Sequence, residues 1–359
     1  MTPQPPEPID WSVARRVATQ ALRLAPLLDD ETRRRFDAEI DDAAATAEGL
    51  VEQATGLKSL SGPPNVVVVD RLGWVDANIS SLRRLLRPLT ERLADRQRVM
   101  PARAMAAGGA ISGAEVGLLL AWLSSRVLGQ YDLFGDVEGG DALYFVAPNV
   151  VSVERRNAFP SMEFRLWIAI HELTHRAQFT AVAWMRPYFL DLIDRGTSLA
   201  PPDAKAIASA LLAAVDEVRA GRNPLADGGI VTLLASSEQL ETLHEAQALM
   251  SLLEGHSDVV MSSAATEQIP GAKRFAKVLA DRRASSRGIA KFVQQLAGFD
   301  AKLRQYAEGE RFVEALLDEG GDELLASVWI RRENLPSLEE IRDPARWIAR
   351  FSDRVDTTA

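Results

Sequence analysis

Apolar residues recur at three- and four-residue intervals along most of the chain, a period that predicts helices as the dominant element. Residues 11–24 and 31–53 carry this pattern, and a Gly/Pro/Ser-rich break follows at 55–65. Val66-Val67-Val68-Val69 then reads as a short buried strand, closed by Asp70 and a turn around Gly73. Helices are expected at 75–87, past Pro88 to about residue 98, and at 104–128. A loop at 135–141 precedes a second strand at 143–147, which ends at Pro148-Asn149. Ser161 reads as the N-cap of a helix over 162–184, in which Phe164, Trp167, Ile168, His171, His175 and Phe179 keep helical spacing. Residues 201–220 read as helix, and 221–235, with Asn223-Pro224 and Asp227-Gly228-Gly229, as a loop. Ser236 and Gln239 form a capping-box pattern that opens a helix to about Met261. Further helices follow Pro270, with breaks near 285–288, Gly298, Gly320-Gly321 and Pro336. The expected fold is mainly α with a minor β part. It forms a single domain over 1–359, with room for two lobes flanking a cleft between the helices around 162–184 and 237–261.

One helix needs separate treatment. Residues 104–128 are rich in Ala, Gly and Leu, and Gly109, Gly113 and Gly117 repeat every fourth position. That stripe suits close helix packing in lipid or in a protein core alike. Glu115 and Arg126 interrupt the segment, which favours a buried helix of a soluble protein over a membrane span.

Composition narrows the chemistry. With 359 residues, 47% of them hydrophobic, the chain can bury a sizeable core, and its formal charge of -9 argues against nucleic acid as the main partner. A local basic excess between Lys273 and Arg311 reads as solvated helix surface. The absence of cysteine excludes disulfides, thiolate metal sites and cysteine nucleophiles. The proline-rich N-terminus has no basic and apolar signal pattern, so a cytoplasmic location is expected.

Against that background His171-Glu172-Leu173-Thr174-His175 stands out, because the chain holds only four histidines. Chance would supply roughly 0.003 copies of H-E-x-x-H from four histidines. On a helix the two imidazoles share a face one turn apart, and Glu172 beside them can serve as general base toward a zinc-activated water. Two histidines leave a third ligand to find. Gln178 and Ala181 occupy the places where the metzincin form of the motif has its glycine and third histidine, so that form is excluded.

The gluzincin form instead takes a glutamate from a second helix, followed four residues on by an aspartate. Glu254-Gly255-His256-Ser257-Asp258 has this form, with Glu254 as candidate metal ligand and Asp258 orienting an imidazole. Its apolar flanks disfavour a plain surface charge. His256 and His244 are rival ligands, but His256 points about 200° from Glu254 on an unkinked helix. Gly255 suggests a close approach to another helix. Candidate helpers for the tetrahedral oxyanion are His256, Tyr306, Arg176 and Tyr188. Strand 143–147 reads either as an edge that pairs with an extended peptide or as an interior strand.

The chain resembles the bacterial zincin-like metallopeptidases, a family of unknown substrate linked by genome context to deazaflavin-cofactor biosynthesis. The resemblance runs through Val67–Arg71 with Gly73-Trp74, Leu128–Asp132, Val146–Asn149, Phe164–Phe179 and Leu252–His256. It continues in Lys302–Tyr306, Gly309–Phe312 and Glu333–Pro336. It implies a mainly helical zincin-like unit with zinc held by the motif, acting on a peptide or small amide and needing no membrane. Two other classes stay open on the sequence: a small-molecule amidohydrolase, and a non-catalytic zincin-fold binding or regulatory protein. Leu253 and Gly255 depart from typical gluzincins.

Overall fold

The computed structural model describes residues 7–87, 90–91, 102–134, 141–198, 237–264, 268–284 and 299–358. The expected helix at 201–220, the loop at 221–235, Ser236, and the breaks near 285–288 and Gly298 lie outside these residues, as does most of the helix past Pro88. The chain groups into two compact units, Met1–Ala181 with Val260–Ala276, and Val182–Val259 with Lys277–Ala359.

The first unit begins with α1 (Trp11–Leu22) and α2 (Asp30–Thr55). Asp10 and Asp29 cap them, their carboxylates accepting backbone N–H bonds from Ser12 and Val13 and from Thr32. Gly56 closes α2 in the left-handed conformation. Strand β1 (Val66–Val69) leads into α3 (Arg71–Leu85), whose cap, Asp70, accepts the N–H of Gly73. Gly73 thus lies in the first turn of a helix; the expected turn there is a helix start, four residues earlier than periodicity suggested.

Helix α4 (Ala102–Ser124) carries the glycine stripe. A methyl group at Gly109, Gly113 or Gly117 would stand 2.5, 2.2 or 2.3 Å from the carbonyl oxygens of Glu7, Asp10 and Ala14. The stripe is therefore a backbone-to-backbone seam against α1 and the turn before it, sealed by Asp10 N–H donating to Gly109 O at 2.9 Å. Burial is confined to that side. Residues 103–124 are long and apolar enough to cross a membrane, and 28% of their most apolar 18-residue window is buried. Ile111 and Leu118 on the other side are exposed, so the helix is half-covered rather than fully interior.

Two further strands complete a three-stranded sheet of order β1-β3-β2. Strand β3 (Ala142–Val146) is central, parallel to β1 and antiparallel to β2 (Gly129–Asp132). Its near-continuous apolar run, Ala-Leu-Tyr-Phe-Val, follows from cover on both faces. The strand expected at 143–147 is therefore the interior one, and β2, which periodicity missed, is an edge. Helix α5 (Ala147–Asn157) starts directly from β3 with Pro148 in its first turn, where a missing N–H does no harm.

Helix α6 (Ser161–Thr180) carries the histidine motif and packs along α2. Pro160 rather than Ser161 occupies its N-cap, without a side-chain bond. Two buried arginines pin it. Arg165 bonds Glu154 at 2.8 and 3.0 Å and pairs with Glu39. Arg176 donates from Nε to Asp141 at 2.8 Å, from Nη1 to Glu48 at 2.9 Å, and from Nη2 to the Gly62 carbonyl at 2.7 Å. Buried charges are tolerated only when paired in this way.

The second unit holds α7 (Met185–Ser198), most of α8 (Ser237–Ala264), the end of α9 (Ala272–Ala284), α10 (Phe299–Ser327), α11 (Leu338–Arg342) and α12 (Pro344–Thr358). Helices α8 and α10 cross at Gly255 and Gly309. A methyl group on Gly255 would lie 2.1 Å from the Gly309 carbonyl carbon, and one on Gly309 would lie 1.9 Å from Ser251 O. Gly255 is thus explained by the close helix approach that its weak helix propensity implied. Gly320-Gly321 kinks α10, with Gly321 at φ 63°. Trp347 is buried against Phe312 and Phe351, its indole N–H donating to Asn334 O at 2.7 Å.

Candidate metal centre

Between Trp167 and Gln178 every residue of α6 is buried except His171 and His175. The motif therefore forms a narrow open stripe on a helix otherwise enclosed by apolar neighbours and by the arginine anchors. Its two Nε2 atoms stand 3.3 Å apart, with ring planes at 82°.

That distance is compatible with shared coordination of one ion. Two nitrogens each about 2.05 Å from one ion, at a tetrahedral angle, lie about 3.3 Å from each other. The outer nitrogens are also engaged: His175 Nδ1 lies 3.0 Å from Gln178 Oε1, and His171 Nδ1 lies 3.2 Å from Met261 Sδ.

Glu172 is 6% exposed and turns toward the sheet. Its Oε2 accepts the backbone N–H of Tyr131 at 2.9 Å, so that N–H points away from β3, out of the edge of β2. Gly129 makes the approach possible, because a Cβ there would stand 2.7 Å from both Cγ and Oε1 of Glu172. Tyr131 in turn stacks on Phe179, with ring centroids 5.9 Å apart. A carboxylate has about four lone-pair sites, so accepting a backbone N–H is compatible with accepting a proton as well.

In the second unit, α8 shows a matching pattern. From Ser251 to Asp258 only Glu254 and Asp258 escape burial, and they share one face at i, i+4 spacing. His256 is 2% exposed and packs against Trp329, with ring centroids 5.0 Å apart. His244 is exposed and lines a cleft of about 740 Å³ together with Tyr188, Arg332 and Glu241. His171 and His175 in the first unit and Glu254 in the second are each left partly open on their helices. Two histidine nitrogens and a carboxylate oxygen are a donor set that zinc accepts.

Of the candidate oxyanion helpers, Arg176 is ruled out for that role by its own structure, since Nε and both terminal nitrogens already serve Asp141, Glu48 and Gly62. Tyr188 is buried beneath the Arg332 guanidinium, 4.4 Å from its ring centroid. Burial raises its phenol above the ordinary range, and nearby Glu245 adds to this. The Tyr306 side chain lies outside the described residues. Gly129, Tyr131, Gln178 and Met261 escaped sequence reasoning. A backbone N–H leaves no mark in a sequence, Gly129 and Met261 reach the motif only through tertiary contact, and Gln178, one turn after His175, was read only as the place of an absent glycine.

These features together define a mainly helical, zincin-like scaffold with a small mixed sheet. The chain belongs to the zincin-like metallopeptidase family, whose model matches residues 9–348. It is similar in structure to a Chloroflexus aurantiacus protein assigned provisionally as a hydrolase with a novel fold. The likeness has a TM-score of 0.71 and 32% identity, covering 96% of this chain and 99% of the other. No curated protein matches the chain.

Proposed function

We propose that the protein is a zinc-dependent hydrolase of the gluzincin type that cleaves a peptide or amide bond. The observation that carries this reading is the 3.3 Å separation of the His171 and His175 Nε2 atoms, with Glu172 anchored beside them. His171 and His175 would hold the ion, and Glu254 would supply the third ligand. Helix geometry supports that choice. Met261 touches His171, and Glu254 lies seven residues earlier on the same continuous helix, about 20° from the same face. Asp258, between them, is in register to orient an imidazole.

When bound, zinc acidifies water and polarises a carbonyl oxygen. The rest of the chemistry falls to the chain. Glu172 takes the proton from the attacking water and passes it to the leaving nitrogen. Its bond to Tyr131 N–H keeps the carboxylate from rotating out of line, and the buried flanks of α6 exclude bulk water. Nothing among these residues favours a deazaflavin-linked substrate over another amide.

The deciding experiment is metal analysis of the purified protein joined to a peptide-library screen of the wild type and Glu172→Gln. About one zinc per chain in both proteins, with cleavage by the wild type alone, is the expected result. Equal cleavage by both would refute the role given to Glu172.

A further inference from the structure

We infer that Gln178 is the residue that sets His175 up as a metal ligand, an inference that rests on the metal-centre reading above. An imidazole that offers the Nε2 lone pair to an ion must carry its proton on Nδ1, and a proton buried there needs an acceptor. The acceptor is Gln178 Oε1, at 3.0 Å. An amide oxygen can accept but cannot take the proton, so this contact selects one tautomer without competing for it. The opposite orientation of the amide would set NH2 against Nδ1. That would drive the proton onto Nε2, which faces His171 Nε2 at 3.3 Å.

Burial strengthens the argument. Gln178 is 0% exposed, on a stretch of α6 whose other buried positions are mostly apolar. Placing a primary amide there is unfavourable unless its polar atoms are bonded, and leucine would fill nearly the same volume without that penalty. The side chain also needs no reorganisation to act. It sits three residues after His175 on the same helix, so rigid backbone fixes the distance between them. Gln178 touches neither substrate nor ion; it is a positioning residue.

The test uses the full chain stripped of zinc, with Gln178→Leu removing the acceptor at similar volume and Gln178→Glu restoring one. Zinc affinity is read by competition with a chromophoric chelator, and the His175 tautomer by nitrogen-15 imidazole NMR of the zinc-free proteins. The expected result is roughly 10- to 100-fold weaker zinc binding for Gln178→Leu, as for lost outer-sphere partners elsewhere, with Gln178→Glu close to wild type. The wild-type His175 should be the Nδ1–H form, and the leucine variant a mixture.

Wild-type affinity in Gln178→Leu would overturn the inference. Equal weakening in both variants would do the same, since it would mean that packing rather than hydrogen bonding matters. Should Gln178→Leu fail to fold, Gln178→Glu and the wild-type tautomer decide. A wild type that binds no zinc would sink the metal centre instead. The tautomer would then judge Gln178 alone, a majority Nε2–H form counting against it.

Discussion

Gly129→Ala is the perturbation that most directly probes how Glu172, the proposed base, is held. The new methyl would lie 2.7 Å from Cγ and Oε1 of Glu172 and 2.9 Å from Cδ. Ordinary carbon contacts begin near 3.5 Å, so the glutamate side chain must retreat by roughly 0.8 Å. Glu172 can do this by rotating its own torsions, because the atoms struck are at its flexible end. The retreat breaks the 2.9 Å bond from Tyr131 N–H. A hydrogen bond to a charged group contributes about 1.5–3 kcal/mol, so the loss of stability should fall in that range. A catalytic group displaced by about 1 Å loses on the order of 100-fold in rate. His171 and His175 sit on the same helix but away from the added methyl, so zinc content should stay at the wild-type level. The assay pairs denaturant unfolding and zinc analysis with turnover of whichever library peptide the wild type cuts. Wild-type turnover in Gly129→Ala would refute the reasoning, because either the carboxylate is not held at β2 or it is not the base.

Three other outcomes follow from the same geometry. Glu172→Gln should retain zinc and lose at least about 100-fold in hydrolysis, as measured by zinc analysis and turnover on the same peptide. Glu254→Ala should weaken zinc retention far more than His256→Ala in chelator competition, because His256 is packed against Trp329; the reverse order would transfer the third ligand to His256. Gly255→Ala should destabilise the second unit by about 3 kcal/mol or more in equilibrium unfolding. The added methyl meets backbone atoms of Gly309 at 2.1 Å, and no flexible side chain can yield.

The comparison of sequence and structure turns on the range over which each signal acts. Helices α2, α6 and α8 were legible because their apolar period is long and local. The valine run was legible as β1 because four β-branched residues disfavour helix. The motif itself needed no structure, since two histidines one turn apart determine their own spacing. Gly255 announced a helix crossing by its misfit with helix propensity, although the partner, Gly309, could not be named. By contrast β2 is four residues, Gly-Gln-Tyr-Asp, with no alternation to read. It exists only because β3 offers it a ladder. The same holds for the start of α3, where the Asp70 cap outweighs a glycine in the first turn.

What the sequence by itself determined is the helical fold class and the spacing of the histidine pentapeptide, both carried by contacts within a few residues. What only tertiary structure decided is how those residues are poised. Tyr131 N–H grips Glu172 across 41 residues, Met261 meets His171 across 90, and Arg176 is committed to Asp141 and Glu48 rather than to catalysis. Such contacts depend on where separate elements meet, and that is set by packing the whole core rather than by any local pattern.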